Sequence, residues 1–590
     1  MAASAPARSH TGATTLLDKL PAELLALIFT FGATLPANAT RHILADDASV
    51  RQIVSPCQTF DFRLPLIVSA VCRRWRDVAL NHQSLWSKIY ITNRDVADVE
   101  DISAPPCARF PIVSEYLRRA GKYAPLDILI DSREPSCSGT GLGHPIPFTA
   151  ERQSASACIH RLTSERISEV LRLLLPRLRR WRSFAFVTDQ FEPMTSAVRN
   201  LAPDTPSSLI PHATGGTLAP LLEQLAFIYD SNASYTLPYR LTSPFDKGNS
   251  KPLPFGIRRD HAGSTTNTPR LRHLTLSGIH VDWARLPDML PSPSQKDPRA
   301  GLRSLEISCH WVDHRPSAQD WYRILGQCPR LTSLAVRRSG VYELVEHTSE
   351  ARVRELLKEP VPLPRLADLR LEYTKAADAL FLVQALDAPH VRALDLRNAH
   401  PPYSSDAPTA DLLDCLAGVS PGARGALPEG QGLFPLVKTM RLHDIQVGRA
   451  SFERLFASSP LVQSLALSRT PDAALHALHM AGRPPRATMH CPSLQELRVY
   501  GGDEVADVLV EEILAERSPE GLLPSPIEFG LDVRSGEVES AILGDVDAQV
   551  DLGEVDIALG SYTLRLMPDD IFRILSEACA AGLSAIANAA

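Results

Sequence analysis

Apolar residues recur along most of the chain in one short motif. A proline is followed two residues on by Leu or Val, and then by apolar residues at five and seven, as in Pro269, Leu271, Leu274 and Leu276. Further copies start at Pro220, Pro329, Pro364, Pro389, Pro435, Pro460 and Pro492, and Ala300 replaces the proline in one more. The intervals between starts run 49, 31, 29, 35, 25, 46, 25 and 32 residues, most of them near the length of one strand plus one helix. Apolar residues two apart, such as Leu369 and Leu371, share one face of a strand. The first Leu of each copy falls in the turn entering that strand. Helical spacing appears between copies: Trp321, Ile324, Leu325 and Cys328 repeat at i, i+3, i+4 and i+7. Phe452, Leu455 and Phe456 do so after Ser451, which reads as their N-cap. Each unit has an apolar face that it cannot bury alone, so neighbours must stack.

Upstream the same rhythm predicts strands at Ile89–Ile91, Leu126–Ile130 and Phe184–Val187, with helices at Ile112–Ala120 and Ser164–Leu175. Stretches rich in Pro, Ser, Thr, Gly and Ala at 132–157, 192–219, 236–268, 286–300 and 400–433 read as surface loops or locally disordered insertions.

Residues 16–90 follow a different pattern. Pro21 suits the first turn of a helix, and Leu20, Leu24, Leu27, Ile28 and Phe31 fall on one face of it. A second stripe runs through Val68, Val71, Cys72, Trp75 and Ala79, and Leu85-Trp86 closes the segment. A module this small can bury only part of these side chains, and the surplus suits a partner surface. Capping of the first face of the repeat array is the other reading of the same stripes.

Leu-Pro-x-Glu-Leu-Leu-x-x-Ile-Phe from Leu20, then Val71-Cys-Arg-x-Trp75-Arg-x-Val-Ala79 and Leu85-Trp86, resembles an F-box of fungal type. The downstream motif resembles the leucine-rich pattern Leu-x-x-Leu-x-Leu. The positions where that family places Asn or Cys hold other residues, including Ile279, His310, Ser339 and Thr374, which implies a distorted horseshoe. Together the resemblances imply an α/β fold, a three-helix F-box module followed by an irregular leucine-rich-repeat-like solenoid. They imply a substrate-recognition adaptor that docks a Skp-type adaptor, and through it a cullin, while the array binds a protein target for ubiquitination. The implied adaptor contacts are Leu20, Pro21, Glu23, Leu24, Ile28, Phe29, Val71, Cys72 and Trp75. Phe29 and Val71 stand further apart than in a typical F-box, which implies a loop at 34–62 emerging beside the docking surface. A leucine-rich scaffold without ligase association is the alternative.

The expected organisation is a disordered segment over 1–15, the F-box-like module over 16–90, the array over 91–530 and a strand-and-helix cap over 531–590. Within that cap a hairpin turning at Gly553 and a helix over 569–590 are expected.

Composition narrows the chemistry. Hydrophobic residues make up 44% and charged residues 22%, with a formal charge of −6, the balance of a globular protein rather than a nucleic-acid-binding one. The seven arginines between Arg161 and Arg182 alternate with apolar residues, as on a solvated helix face. The ten cysteines form no Cys-x-x-Cys pair, and no run of 18 apolar residues occurs, so neither a zinc ribbon nor a membrane span is expected. A cytoplasmic or nuclear location follows. No catalytic motif is present. Gly139-Thr-Gly141-Leu-Gly143 runs into His144-Pro145 and has no helix to hold phosphate. His476 with His479, and Cys309 with His310 and His314, are too few for a metal, and Asp545–Asp551 lacks a calcium loop's glycine. No enzyme activity, cofactor, metal, nucleic acid or membrane partner is expected.

Overall fold

The computed structural model describes residues 20–32, 64–97, 105–133, 161–210, 217–229, 252–256, 267–291, 300–341, 355–399, 407–419, 432–470, 472–479, 489–500, 508–510, 512–513, 557–559 and 562–564. The chain forms two compact units. The first comprises residues 1–90, 111–128 and 550–590, and the second residues 91–110 and 129–549.

In the first unit, helices α1 (Ala22–Gly32), α2 (Leu64–Val71) and α3 (Arg73–Asn81) pack on one another. A 3₁₀ turn, Gln83–Trp86, leads into strand β1 (Lys88–Thr92), and α4 (Pro111–Arg119) packs on that turn. Trp86 is fully buried: its Nε1 donates to Ala79 O at 2.7 Å, Tyr116 meets it edge-on at 5.1 Å, and the Arg119 guanidinium lies 4.2 Å above its ring. On α4, hydrogen bonds first from Arg118 and then from Arg119 hold Glu115 down at about 2.

The second unit is built on a parallel sheet. Its strands are β3 (Trp181–Thr188), β4 (Gln224–Tyr229), β5 (His273–Ser277), β6 (Ser304–Ser308), β7 (Ser333–Arg337), β9 (Asp368–Tyr373), β11 (Ala393–Asn398), β12 (Thr439–His443), β13 (Ser464–Ser468) and β14 (Glu496–Tyr500), in that spatial order. The last residues of β1 and of β2 (Leu126–Asp131) extend it to twelve strands among the described residues. Two short strands, β8 (Val361–Pro362) and β10 (Leu386–Asp387), pair with each other alone.

The register explains the motif. Leu225, Leu274, Leu305, Leu334 and Leu369 stand side by side on successive strands, and so do Phe227, Leu276, Ile307, Val336 and Leu371. Both columns continue to Leu497 and Val499 on β14. Most apolar residues of the entering turns, among them Leu222, Leu271, Leu331 and Val462, are fully buried beneath the same face. In β3 the large Trp181 occupies that turn position. Its ring stacks on Phe184 at 4.9 Å and its Nε1 donates to Leu174 O of helix α5 (Ser164–Leu174) at 3.4 Å.

Helices cover that face and pack in sequence: α5 on α6 (Phe191–Asn200), and α8 (Ala376–Ala385) on α9 (Ala407–Leu416), which meets α10 (Arg449–Ala457), which meets α11 (Ala473–Leu478). Helix α7 (Ala318–Gly326) begins with a reciprocal cap in which Ser317 and Asp320 each satisfy the other's backbone N–H.

Some expectations need correction. Stretches 192–219 and 400–433 contain α6 and α9, and 286–300 contains a helical turn at Leu286–Met289. In α6 the buried Met194, Ala197, Val198 and Leu201 keep a helical period that the surrounding Pro, Ser and Thr disguise. Ser451 lies within α10, whose N-cap is Gly448. The C-terminal hairpin pairs β15 (Ile557–Leu559) antiparallel with β16 (Tyr562–Leu564), beyond the expected turn. Gly553, Asp545–Asp551, Gly139–Gly143, the segments 1–15 and 34–62 and the helix over 569–590 lie outside the described residues.

At the strands' C-terminal ends the chain bends through a left-handed residue. Gly278, Cys309, Arg338, Asp444 and Arg469 all have φ between 47° and 63°, and each directly follows its strand. Four of them donate their N–H to the end of the next strand, such as Gly278 to Ser308 O at 2.8 Å. Only Gly278 avoids the steric cost of that conformation, roughly 1 kcal/mol for the others, and a Cβ there would meet Tyr229 at 3.0 Å.

Candidate docking surface

In the helical unit, α2 and α3 are separated by one residue. Cys72 is extended (φ −152°, ψ 169°), and its Sγ accepts from Trp75 N at 3.4 Å, capping α3. The extended residue breaks the helix at the stripe's midpoint, turning Trp75 and Ala79 inward. Trp75 meets Phe29 with ring centroids 5.0 Å apart, and Leu25, Phe29, Leu64 and Val68 complete a small core. Arg74 donates to Leu20 O, Arg76 Nε to Ser69 O at 2.8 Å, and Lys88 Nζ to Thr30 O at 3.3 Å.

The nine implied contact residues therefore divide in two. Pro21, Glu23, Leu24, Val71 and Cys72 are exposed, Leu20 and Ile28 half-buried, and Phe29 and Trp75 buried against each other. On α1 the stripe of Leu24, Leu27 and Ile28 is the outer one, while Leu25 and Phe29 face inward. Leu24, Leu27, Val71 and Leu80 are each between 36% and 39% exposed, a high value for large apolar side chains on so small a unit. Leu80 was not singled out from the sequence: the apolar stripe of α3 passes through Trp75 and Ala79, and Leu80 lies beside it.

The second unit presents another candidate surface, the sheet face opposite the buried columns. Its strand-centre positions include Thr275, Glu306, Arg370, Asp395, Arg441 and Arg498, all at least partly exposed. Much of the charge there is internally matched. Arg337 Nε lies 3.2 Å from Glu306, Arg370 Nη2 2.8 Å from Asp368, and His443 Nε2 3.8 Å from Asp395.

Neither histidine group noted in the sequence assembles a metal set. His479 lies just outside α11 and its Nε2 is 3.2 Å from Glu512. His310 hydrogen-bonds Ser339 Oγ through Nδ1 at 2.9 Å, and the rings of His314 and His280 meet at a tilt with centroids 3.7 Å apart. Among the described residues no three His, Cys, Asp or Glu side chains converge as metal ligands, and no helix is long and apolar enough to cross a membrane.

Comparison with known proteins finds a family in the helical region. Residues 60–92 match the family model described as F-box-like, a segment running from before α2 through β1. Val71, Cys72 and Trp75 lie inside it, and the residues of α1 lie ahead of it. No curated protein matches the chain. Across the segment that forms the α2–α3 pair and its Leu85-Trp86 closure, the chain carries an F-box-like domain.

Proposed function

We propose that the protein is a non-catalytic substrate receptor of a Skp–cullin–F-box ubiquitin ligase. The carrying observation is the F-box-like match over α2 and α3 together with apolar side chains left exposed on α1 and α2. In this reading α1, α2 and α3 form one docking module. Leu24, Leu27 and Val71 meet the Skp-type adaptor, with Leu20, Pro21, Glu23, Ile28 and Cys72 around them, and Phe29 and Trp75 hold the helices in shape from within. The module spans 16–90, and the array over 91–530 is an irregular leucine-rich-repeat-like solenoid that captures a protein target. Such a receptor raises the target's local concentration beside the ubiquitin carrier and needs no chemistry of its own. A cytoplasmic or nuclear location fits this work.

The test is capture of the full chain by an immobilised Skp-type adaptor. Leu24→Asp with Val71→Asp puts charge on the exposed side chains and leaves Phe29 and Trp75 untouched. Binding should fall at least about tenfold, as for loss of apolar anchors in an interface, with an unchanged unfolding midpoint. A wild-type chain that binds no such adaptor overturns the proposal. The alternative, a protein-binding scaffold without ligase association, draws on the match beginning after α1. It predicts that adaptor binding appears only once residues 34–62 are deleted.

A further inference from the structure

The turns that enter β5, β6, β7, β9, β11 and β12 read Pro-Arg-Leu-Arg, Ala-Gly-Leu-Arg, Pro-Arg-Leu-Thr, Pro-Arg-Leu-Ala, Pro-His-Val-Arg and Pro-Leu-Val-Lys. In each, the third residue is the buried apolar one. The residues on either side of it therefore line the N-terminal edge of the sheet, and these are where the cations fall. Arg272, Arg303, Arg392 and Lys438 follow the buried residue, and Arg270, Arg330 and Arg365 precede it. The first row is continuous through the backbone: Arg303 N donates to Arg272 O, Thr332 N to Arg303 O, and Lys438 N to Arg392 O, at 2.7–2.8 Å.

These six turns hold seven cations and no carboxylate. Among the described residues none of the seven side chains makes an ion pair or a side-chain hydrogen bond. Carboxylates close by in sequence are engaged elsewhere, Glu306 with Arg337 and Asp368 with Arg370. Glu223, ahead of β4, and Asp387, ahead of the turn at Pro389, pair with none of the seven. Much of the charge on the sheet's open face is matched, while that of these six turns is not. At roughly 4.8 Å between strands, the row from β5 to β12 spans about 24 Å, the reach of about seven extended residues.

We infer that this edge is a docking site for an extended acidic segment of a protein partner, laid across the strand N-termini. Charge complementarity selects an anionic chain. A polypeptide fits better than a nucleic acid because none of the six turns holds an aromatic ring on which a base could stack. The inference deepens the target-capture reading and rests on it for its place in the cell, but the binding is measured without any adaptor, so either can fail alone.

The experiment follows the anisotropy of a fluorescein-labelled polyglutamate peptide, about ten residues long to cover the row, titrated with the full chain. Binding is expected to weaken as salt is raised. Arg272→Glu combined with Arg303→Glu and Arg392→Glu should lower affinity at least about tenfold, with the thermal midpoint kept because the three side chains hold nothing. Lys358→Glu, a reversal of equal sign at an exposed lysine outside the edge, should leave affinity unchanged. Failure of the wild-type chain to bind the peptide overturns the inference. So does a triple variant that binds normally, or a Lys358 reversal with the same effect. A single-stranded oligonucleotide of equal charge that binds more tightly than the peptide assigns the edge to nucleic acid instead.

Discussion

His310 illustrates how one side chain can carry the pH dependence of a whole sector. Burial, and then the charges of Arg315 and His314, push its pKa down from 6.5 to about 3. Nearby Arg315 bonds the buried Asp378 at 3.2 Å, and burial raises that carboxyl despite the arginine. The sign follows from proton counting. Below pH 6.5 an unfolded chain protonates this histidine, while the folded one keeps it neutral until about 3, so stability is full above 6.5 and drains away as pH falls through that window. At pH 5 the difference is of order 2 kcal/mol for a single fully buried group. Protonation of Asp378, with its raised pKa, returns part of this at the acid end. Thermal midpoints between pH 7.5 and 5 should therefore fall for the wild type and fall less for His310→Asn. Equal slopes would show that the histidine is not buried in its neutral form. The sequence placed His310 near Cys309 and His314, but Trp283 and Ser339, which touch its ring, and Asp378, which holds Arg315, come from separate turns of the sheet. No local spacing announces them.

At the scale of single elements, the break between α2 and α3 depends on a thiol acting as a cap. Sulfur is a weak acceptor, so the Cys72 cap is poorer than a hydroxyl at the same place. Cys72→Ser should raise the unfolding midpoint slightly, and Cys72→Ala should lower stability by about 0.5–1 kcal/mol. An Ala variant as stable as the Ser variant would mean that the cap contributes nothing. These helices also show where the sequence is mute. Residues 24–29 of α1 read Leu-Leu-Ala-Leu-Ile-Phe, apolar throughout, so periodicity marks a helix without saying which stripe faces in. The structure buries Leu25 and Phe29, one position along from the stripe read off the sequence. The stripe of Trp75 and Ala79 was legible because charged residues flank it on α3. Helix α6 was hidden for the opposite reason, its Pro and Ser giving the composition of a loop while Met194, Ala197, Val198 and Leu201 kept the helical period.

At the scale of the molecule, the motif was legible because its two-residue apolar period recurs in one phase relative to proline, and the register sets those copies side by side without a slip. Each strand of this series bonds only to the strands of the preceding and following copies, so stability propagates between neighbours and depends on position in the row. Leu369 lies in the middle, completely buried between Leu334 and Leu394. Its replacement by Ala leaves a cavity closed on both sides, at a cost of about 2–5 kcal/mol. Leu494 enters β14, the last strand of the sheet, and is only half-buried. Leu494→Ala should cost under about half as much, since the transfer contribution scales with area removed from water. Denaturant melts of the two variants decide whether the row behaves as one body. If it does, both shift a single transition and keep its slope, with Leu369→Ala shifted further. If Leu494→Ala instead produces an early, shallow phase, the last copies of the row unfold apart from its centre.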